Sequence, residues 1–63
     1  MNSKMIPITK QQFKIGELVR KLGNNRLGYV VQVWDSKIKT TYTVRWFAGY
    51  DTCEEAYILV KQE

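Results

Sequence analysis

The sequence predicts an all-β fold, a small barrel of about five strands preceded by an extended N-terminal arm. Stretches rich in β-branched and aromatic residues recur at spacings of about 8–12 residues, with turn residues between them. No window carries an apolar stripe of helical spacing beyond two turns. The chain has 63 residues, which is enough for a single domain. Closing such a short sheet into a barrel removes its exposed edges.

The first segment, MNSKMIPITKQQ, has no sustained periodicity, and Pro7 limits regular structure around it. We therefore predict an extended arm at residues 1–12 and a barrel domain at residues 13–63. The arm would dock on its own barrel or on a neighbour. The residues expected to make that contact are Met5, Ile6 and Ile8.

The first predicted strand follows the turn residue Gly16 and runs from about residue 17 to 22. The cluster GNNR then predicts a turn, because Gly and Asn tolerate positive φ. In the next strand, GYVVQVWD, the Val-Val-Gln-Val run interrupts strict alternation. Such a break indicates either a strand buried on both faces or a bulge that bends the strand.

The stretch TTYTVRWF follows a polar SKIK loop and alternates without interruption. It predicts a strand with Tyr42, Val44 and Trp46 on one face and with Arg45 and Phe47 on the other. After an AGYDT turn, short strands are expected at 52–55 and 58–61. The predicted core of the whole domain is Ile15, Val19, Val30, Val33, Val44, Trp46, Leu59 and Val60.

Composition argues against catalysis and against membrane insertion. The chain has no histidine, so the commonest general base and metal ligand are missing. Cys53 is the single cysteine and lacks a histidine to activate it. We predict no enzyme activity, cofactor, metal or small-molecule substrate. No apolar run is long enough for a membrane helix or a signal peptide, which predicts a cytoplasmic protein.

Charge is distributed unevenly along the chain. The formal net charge is +4, yet nine of the ten Lys and Arg residues precede residue 46, whereas four of the six acids follow it. Such a dipole would steer a polyanion to one side or let copies stack head to tail. An ordinary solvated surface with no such role is the alternative.

The stretch GELVRKLGNNRLGYVVQVWDSKIKTTYTVRW resembles the small SH3-like barrels of the KOW and Tudor type. The residues that carry the resemblance are Gly16, Glu17, Val19, Gly28, Val30, Val33, Val44 and Trp46. Short bacteriophage proteins of this type are similar over about residues 13–61. The resemblance implies an SH3-like barrel and a phage-encoded accessory or assembly protein, in the host cytoplasm or the virion.

A protein partner or a neighbouring subunit is the preferred function. It would be contacted through the arm and through aromatics beyond those needed for a small core. The exposed aromatic candidates are Trp34, Phe47 and Tyr50. These rings could instead pack under nearby turns.

Binding of single-stranded RNA or DNA is the alternative function. Basic residues lie on or beside strands that carry aromatics, as phosphates and bases require. The basic candidates are Arg20, Arg26, Lys37, Lys39 and Arg45. The family's basic turn is reduced here to GNNRLG, in which Arg26 is the only cation.

Overall fold

The computed structural model describes residues 13–62. Five antiparallel strands form one sheet in the order β4-β3-β2-β1-β5. The strands are β1 Leu18–Lys21, β2 Leu27–Asp35, β3 Thr40–Trp46, β4 Tyr50–Glu55 and β5 Leu59–Lys61. A single turn of 3-10 helix, Ala56–Ile58, lies between β4 and β5. The all-β prediction is confirmed. The predicted arm, with Met5, Ile6 and Ile8, lies outside the described residues.

Alternation of side chains gives the sheet one buried face and one outer face. Along β3, Tyr42, Val44 and Trp46 share one face, as the alternation predicts, and all three are buried. Tyr42 was absent from the predicted core, which named only Val44 and Trp46 of these three. In β2 the pairing with β3 shifts between Val30 and Gln32, which is the site of a bulge. The bulge inserts one extra residue, so the side-chain alternation changes phase at the point where the sequence breaks its pattern.

The core lies on the inner face of the sheet. It consists of Phe13, Val19, Val30, Tyr42, Val44, Trp46 and Leu59, with Val33 and Ala56 packed against it. The prediction was wrong for Ile15, which is 64% exposed because it lies in the turn at Gly16. Phe13 is buried instead, with its ring edge-on to Tyr42 at a centroid distance of 5.3 Å. Val60 is only half-buried, since it pairs with Arg20 on the outer side of the sheet.

The sheet is open but strongly curled. Its two edges, β4 and β5, are joined by the three residues of the 3-10 turn. A connection of that length spans at most about 14 Å, whereas the edges of a flat five-stranded sheet lie about 19 Å apart. The sheet must therefore bend until its edges approach each other. This curvature encloses the core and leaves the outer face convex.

A chain of polar contacts crosses the open side of the curled sheet. The buried indole of Trp46 donates from Nε1 to Thr52 Oγ1 at 2.7 Å, and Thr52 Oγ1 donates to Glu54 Oε2 at 2.7 Å. Lys21 Nζ completes the chain at 3.1 Å from the same carboxylate oxygen. Since Lys21 lies in β1 and Glu54 in β4, the ion pair joins strands that are not neighbours in the sheet.

Candidate binding surface

The outer face of the sheet presents side chains in rows set by the strand register. One row runs from Leu18 through Tyr29 and Arg45 to Asp51, across β1, β2, β3 and β4. The next row pairs Arg20 with Leu27, and the Leu27 carbonyl accepts from the Phe47 amide at 2.9 Å. Together these rows form what we call the outer patch: Leu18, Arg20, Leu27, Tyr29, Arg45 and Phe47.

The centre of the outer patch is apolar. Leu18, Leu27 and Tyr29 are each slightly more than one third exposed, and Phe47 is 62% exposed. The rings of Tyr29 and Phe47 are in contact, with centroids 6.3 Å apart and planes tilted by 49°. Four apolar side chains are therefore contiguous on a face that the core does not use. Contiguous exposed apolar surface of this kind is typical of interaction sites.

Arg45 is held by an acid inside the outer patch. Its Nε and Nη2 atoms each lie 3.0 Å from a carboxylate oxygen of Asp51, which makes a bidentate pair. Hydrogen bonding and attraction to Asp51 raise the pKa of Arg45, with a smaller contribution from Tyr29. The hydrogen bond from Arg45 in turn lowers the pKa of Asp51. The Asp51 carboxylate thus orients the Arg45 guanidinium and partly offsets its positive charge.

Lys39 also forms an ion pair with an acid, at the other end of the sheet. Its Nζ lies 2.8 Å from Glu55 Oε2, and this hydrogen bond raises the pKa of Lys39. Of the five basic candidates, Lys39 and Arg45 are therefore already paired. Lys37 is exposed in the loop between β2 and β3, and no acid lies within ion-pair distance of it in residues 13–62.

Arg20 and Arg26 lie at the same end of the sheet and are held by neutral groups. Arg20 Nη1 donates to Asn25 Oδ1 at 2.8 Å. Asn25 has φ +59°, the left-handed conformation that Asn tolerates in turns. The Arg26 guanidinium lies over the ring of Tyr50, 5.7 Å from its centroid. Neither cation has a carboxylate partner among the residues that the structure describes.

The three aromatic candidates do not form one cluster. Phe47 belongs to the outer patch. Trp34 is 54% exposed on the outer face but lies toward the other end of the sheet, where its Nε1 donates to Thr43 Oγ1 at 2.8 Å. Tyr50 is 42% exposed beside Arg26. Each of the three rings is exposed, as expected, but they do not come together in a single aromatic site.

Sequence reasoning did not select Leu18 and Leu27 for the surface, nor Tyr29 for a protein contact. The sequence pattern nevertheless indicates that these three residues face outward. Each directly precedes an inward-facing residue of its strand: Val19, Gly28 and Val30. Reading outward positions from the predicted inward ones would have identified them.

No helix among the described residues is long and apolar enough to cross a membrane. Over the same residues, no group of three acidic, histidine or cysteine side chains is arranged to hold a metal ion. Comparison of the chain with protein-family models, with curated proteins and with solved structures found no match.

Proposed function

We propose that this chain is a non-catalytic binding module that docks a protein partner through the outer patch. One observation carries the proposal: four contiguous apolar side chains lie on the convex face of a sheet whose core is built from the opposite face. An apolar centre with charged groups at its border is the usual anatomy of a protein interface. Phe47, the most exposed of the four, would be the central contact.

The architecture we propose is a small SH3-like barrel of the KOW and Tudor type. The curl of the sheet and the short 3-10 turn between its edge strands support this assignment. The sequence resemblance extends the proposal to a phage-encoded accessory or assembly protein of the host cytoplasm or virion. In that setting the segment 1–12, with Met5, Ile6 and Ile8, is a second proposed contact to a partner or neighbouring subunit.

Single-stranded nucleic acid is the second candidate ligand. The observation in its favour is that Arg20 and Arg26 have no carboxylate partner among residues 13–62, and that Arg26 lies over the exposed ring of Tyr50. Such a ligand would lose affinity steeply as salt rises, because phosphate contacts release counterions.

The test is selection of binders from a displayed library of random peptides of about twelve residues, long enough to cross the sheet. The bait is the labelled full-length chain. We expect selected peptides to bind at least about tenfold more weakly to Phe47→Ser, because an interface anchor is lost. Ile38→Ser is the matched control, since Ile38 is 90% exposed at the opposite end of the sheet.

Three results bear on the proposal. Selected peptides that ignore Phe47→Ser would place the contact elsewhere and overturn it. A selection that yields no peptide, together with salt-sensitive binding of a single-stranded oligonucleotide, would favour the second candidate. Light scattering on the pure chain detects a neighbouring copy: an oligomer that Phe47→Ser dissociates would identify the partner as a second copy.

A further inference from the structure

We propose that a second site, on the opposite side of the sheet from the outer patch, binds a phosphate group between Lys21 and Arg26. The site lies at one mouth of the curled sheet. It consists of Lys21, Arg26, Trp46 and Tyr50, which we call the mouth cluster. The inference goes beyond the proposed function, because none of these side chains belongs to the outer patch.

Two hairpins bring the mouth cluster together. The hairpin of β1 and β2 closes at Lys21 and Arg26, where the Lys21 amide donates to the Arg26 carbonyl at 2.8 Å. The hairpin of β3 and β4 closes at Trp46 and Tyr50, which are partners in register. Side chains alternate along a strand, and Val19 is buried on the inner face, so Lys21 and its partner Arg26 also lie on the inner side.

Each cation of the mouth cluster lies over an aromatic ring. The Lys21 Nζ atom is 6.0 Å from the centroid of the Trp46 ring, and the Arg26 Cζ atom is 5.7 Å from that of Tyr50. The face of an aromatic ring attracts a cation. Both side chains are therefore held at the mouth, and side chains already in position lose less entropy when a ligand binds.

The positive charge of the mouth cluster is only partly matched. Like charges directly opposite each other on neighbouring strands are destabilising, and Lys21 and Arg26 stand opposite each other. Among residues 13–62, Glu54 is the one carboxylate within ion-pair distance of either cation, at 3.1 Å from Lys21 Nζ. Two positive charges therefore share one negative charge, and a bound anion would offset the second.

The donors that remain suit a phosphate group. Within residues 13–62 the Arg26 guanidinium makes no hydrogen bond, so its donors remain available. The Lys21 ammonium has two donors besides the one directed at Glu54. A phosphate offers several acceptor oxygens in different directions, so it can bind arginine at two points and lysine as a point charge. Arg26 alone can satisfy a planar carboxylate, so we expect acetate to bind more weakly.

The experiment is an NMR titration of the ¹⁵N-labelled full-length chain with inorganic phosphate, at constant pH and with chloride adjusted to keep the ionic strength fixed. We expect saturable shifts of the Arg26 Nε–H and Tyr50 amide signals. Arg26→Gln should bind phosphate roughly tenfold more weakly, because hydrogen bonds to a charged group are lost. Arg26 is exposed, so this substitution leaves the core intact.

Arg20→Gln is the matched control. It removes the same charge at the same end of the sheet, but from the outer face, so phosphate affinity should fall by less than about twofold. Equal losses in Arg20→Gln and Arg26→Gln would overturn the site, since net charge alone would explain them. Shifts that increase linearly without saturation, or acetate that binds as tightly as phosphate, would also overturn it.

Phenyl phosphate distinguishes the source of the group. Tighter binding than inorganic phosphate would identify a phosphoester of a larger ligand, and equal binding would identify the free ion. Failure of this site would leave the proposed function standing, because that function is tested at Phe47 on the other face of the sheet.

Discussion

Gly28 is the residue at which β2 comes closest to the backbone of β3. A Cβ added there would lie 2.6 Å from the Arg45 carbonyl oxygen and 2.9 Å from Trp46 Cα. Both are backbone atoms of a central strand, so neither can move without disturbing the sheet. Because Trp46 also fills the core, this single glycine couples strand pairing to core packing.

We predict that Gly28→Ala lowers the free energy of unfolding by about 3 kcal/mol, at the upper end of overpacking costs. Urea denaturation followed by tryptophan fluorescence measures the loss. Gly23→Ala is the control, since Gly23 has φ +96° but open space around it, so only backbone strain of about 1 kcal/mol is expected. Equal losses in the two variants would contradict the close approach of β2 to β3.

The pKa of Asp51 shows whether its bidentate pair with Arg45 exists in solution. Arg45 lowers the pKa of this carboxyl, so the pair contributes stability above the unfolded-state pKa and loses it as pH falls through the folded-state pKa. We predict that Arg45→Gln returns the pKa of Asp51 toward about 3.9, the value of an unperturbed Asp. Carbon-detected NMR titration of the carboxyl measures it. Arg20→Gln should leave that pKa lowered, and a wild-type pKa already at the ordinary value would refute the pair.

At the scale of elements, local pattern predicted the strands well. The alternation of TTYTVRWF gave the two faces of β3, and the interrupted alternation of GYVVQVWD marked the bulge in β2. The start of β4 was missed by two residues, because Tyr50 lies next to a turn and carries no strand pattern of its own. Burial of Phe13 in place of Ile15 also escaped prediction, since it depends on a turn that brings distant residues together.

The charge pairing of the candidate site could not be predicted in the same way. Arg45 meets Asp51 because their strands are neighbours in register. Lys21 meets Glu54 only because the sheet curls, since two strands separate them in the sheet order. Composition indicates how many cations a chain has, but register and curvature decide which of them remain unmatched.

The contact between β1 and β4 is therefore a measure of how far the sheet closes. We predict a coupling energy of about 0.5–1 kcal/mol between Lys21 and Glu54 in a double-mutant cycle with Lys21→Met and Glu54→Gln. Substitution of Glu54 should cost more stability than substitution of Lys21, because the Glu54 carboxylate also accepts the hydrogen bond from Thr52, which in turn accepts from Trp46. Urea denaturation of the four proteins gives the coupling.

The pair Lys39–Glu55 is the control for this cycle. Its side chains are 58% and 40% exposed, against 30% and 12% for Lys21 and Glu54. Water and salt screen exposed pairs, so its coupling should be smaller. A coupling near zero for Lys21 and Glu54 would mean that the open side of the sheet is not bridged in solution.

For the molecule as a whole, folding brings the basic and acidic segments of the sequence together in ion pairs. Three ion pairs join the basic segment before residue 46 to the acidic segment after it: Lys21–Glu54, Lys39–Glu55 and Arg45–Asp51. The three carboxylates of the acidic segment that lie within residues 13–62 are thus all paired with cations of the basic segment. Within residues 13–62, Arg20, Arg26 and Lys37 remain without a carboxylate within ion-pair distance.

The position of the core residues along the chain predicts the effect of removing the N-terminal segment. The seven buried core side chains found in residues 13–62 run from Phe13 to Leu59 along the chain. We expect deletion of residues 2–11 to change the free energy of unfolding by less than about 0.5 kcal/mol, the range of changes that touch no core contact. Urea denaturation followed by the fluorescence of buried Trp46 measures it.

A loss above about 1 kcal/mol would mean that Met5, Ile6 and Ile8 stabilise the fold itself, and their role as a partner contact would then be withdrawn. An unchanged stability with weaker partner binding would assign them to the interface, because only the complex would then depend on them.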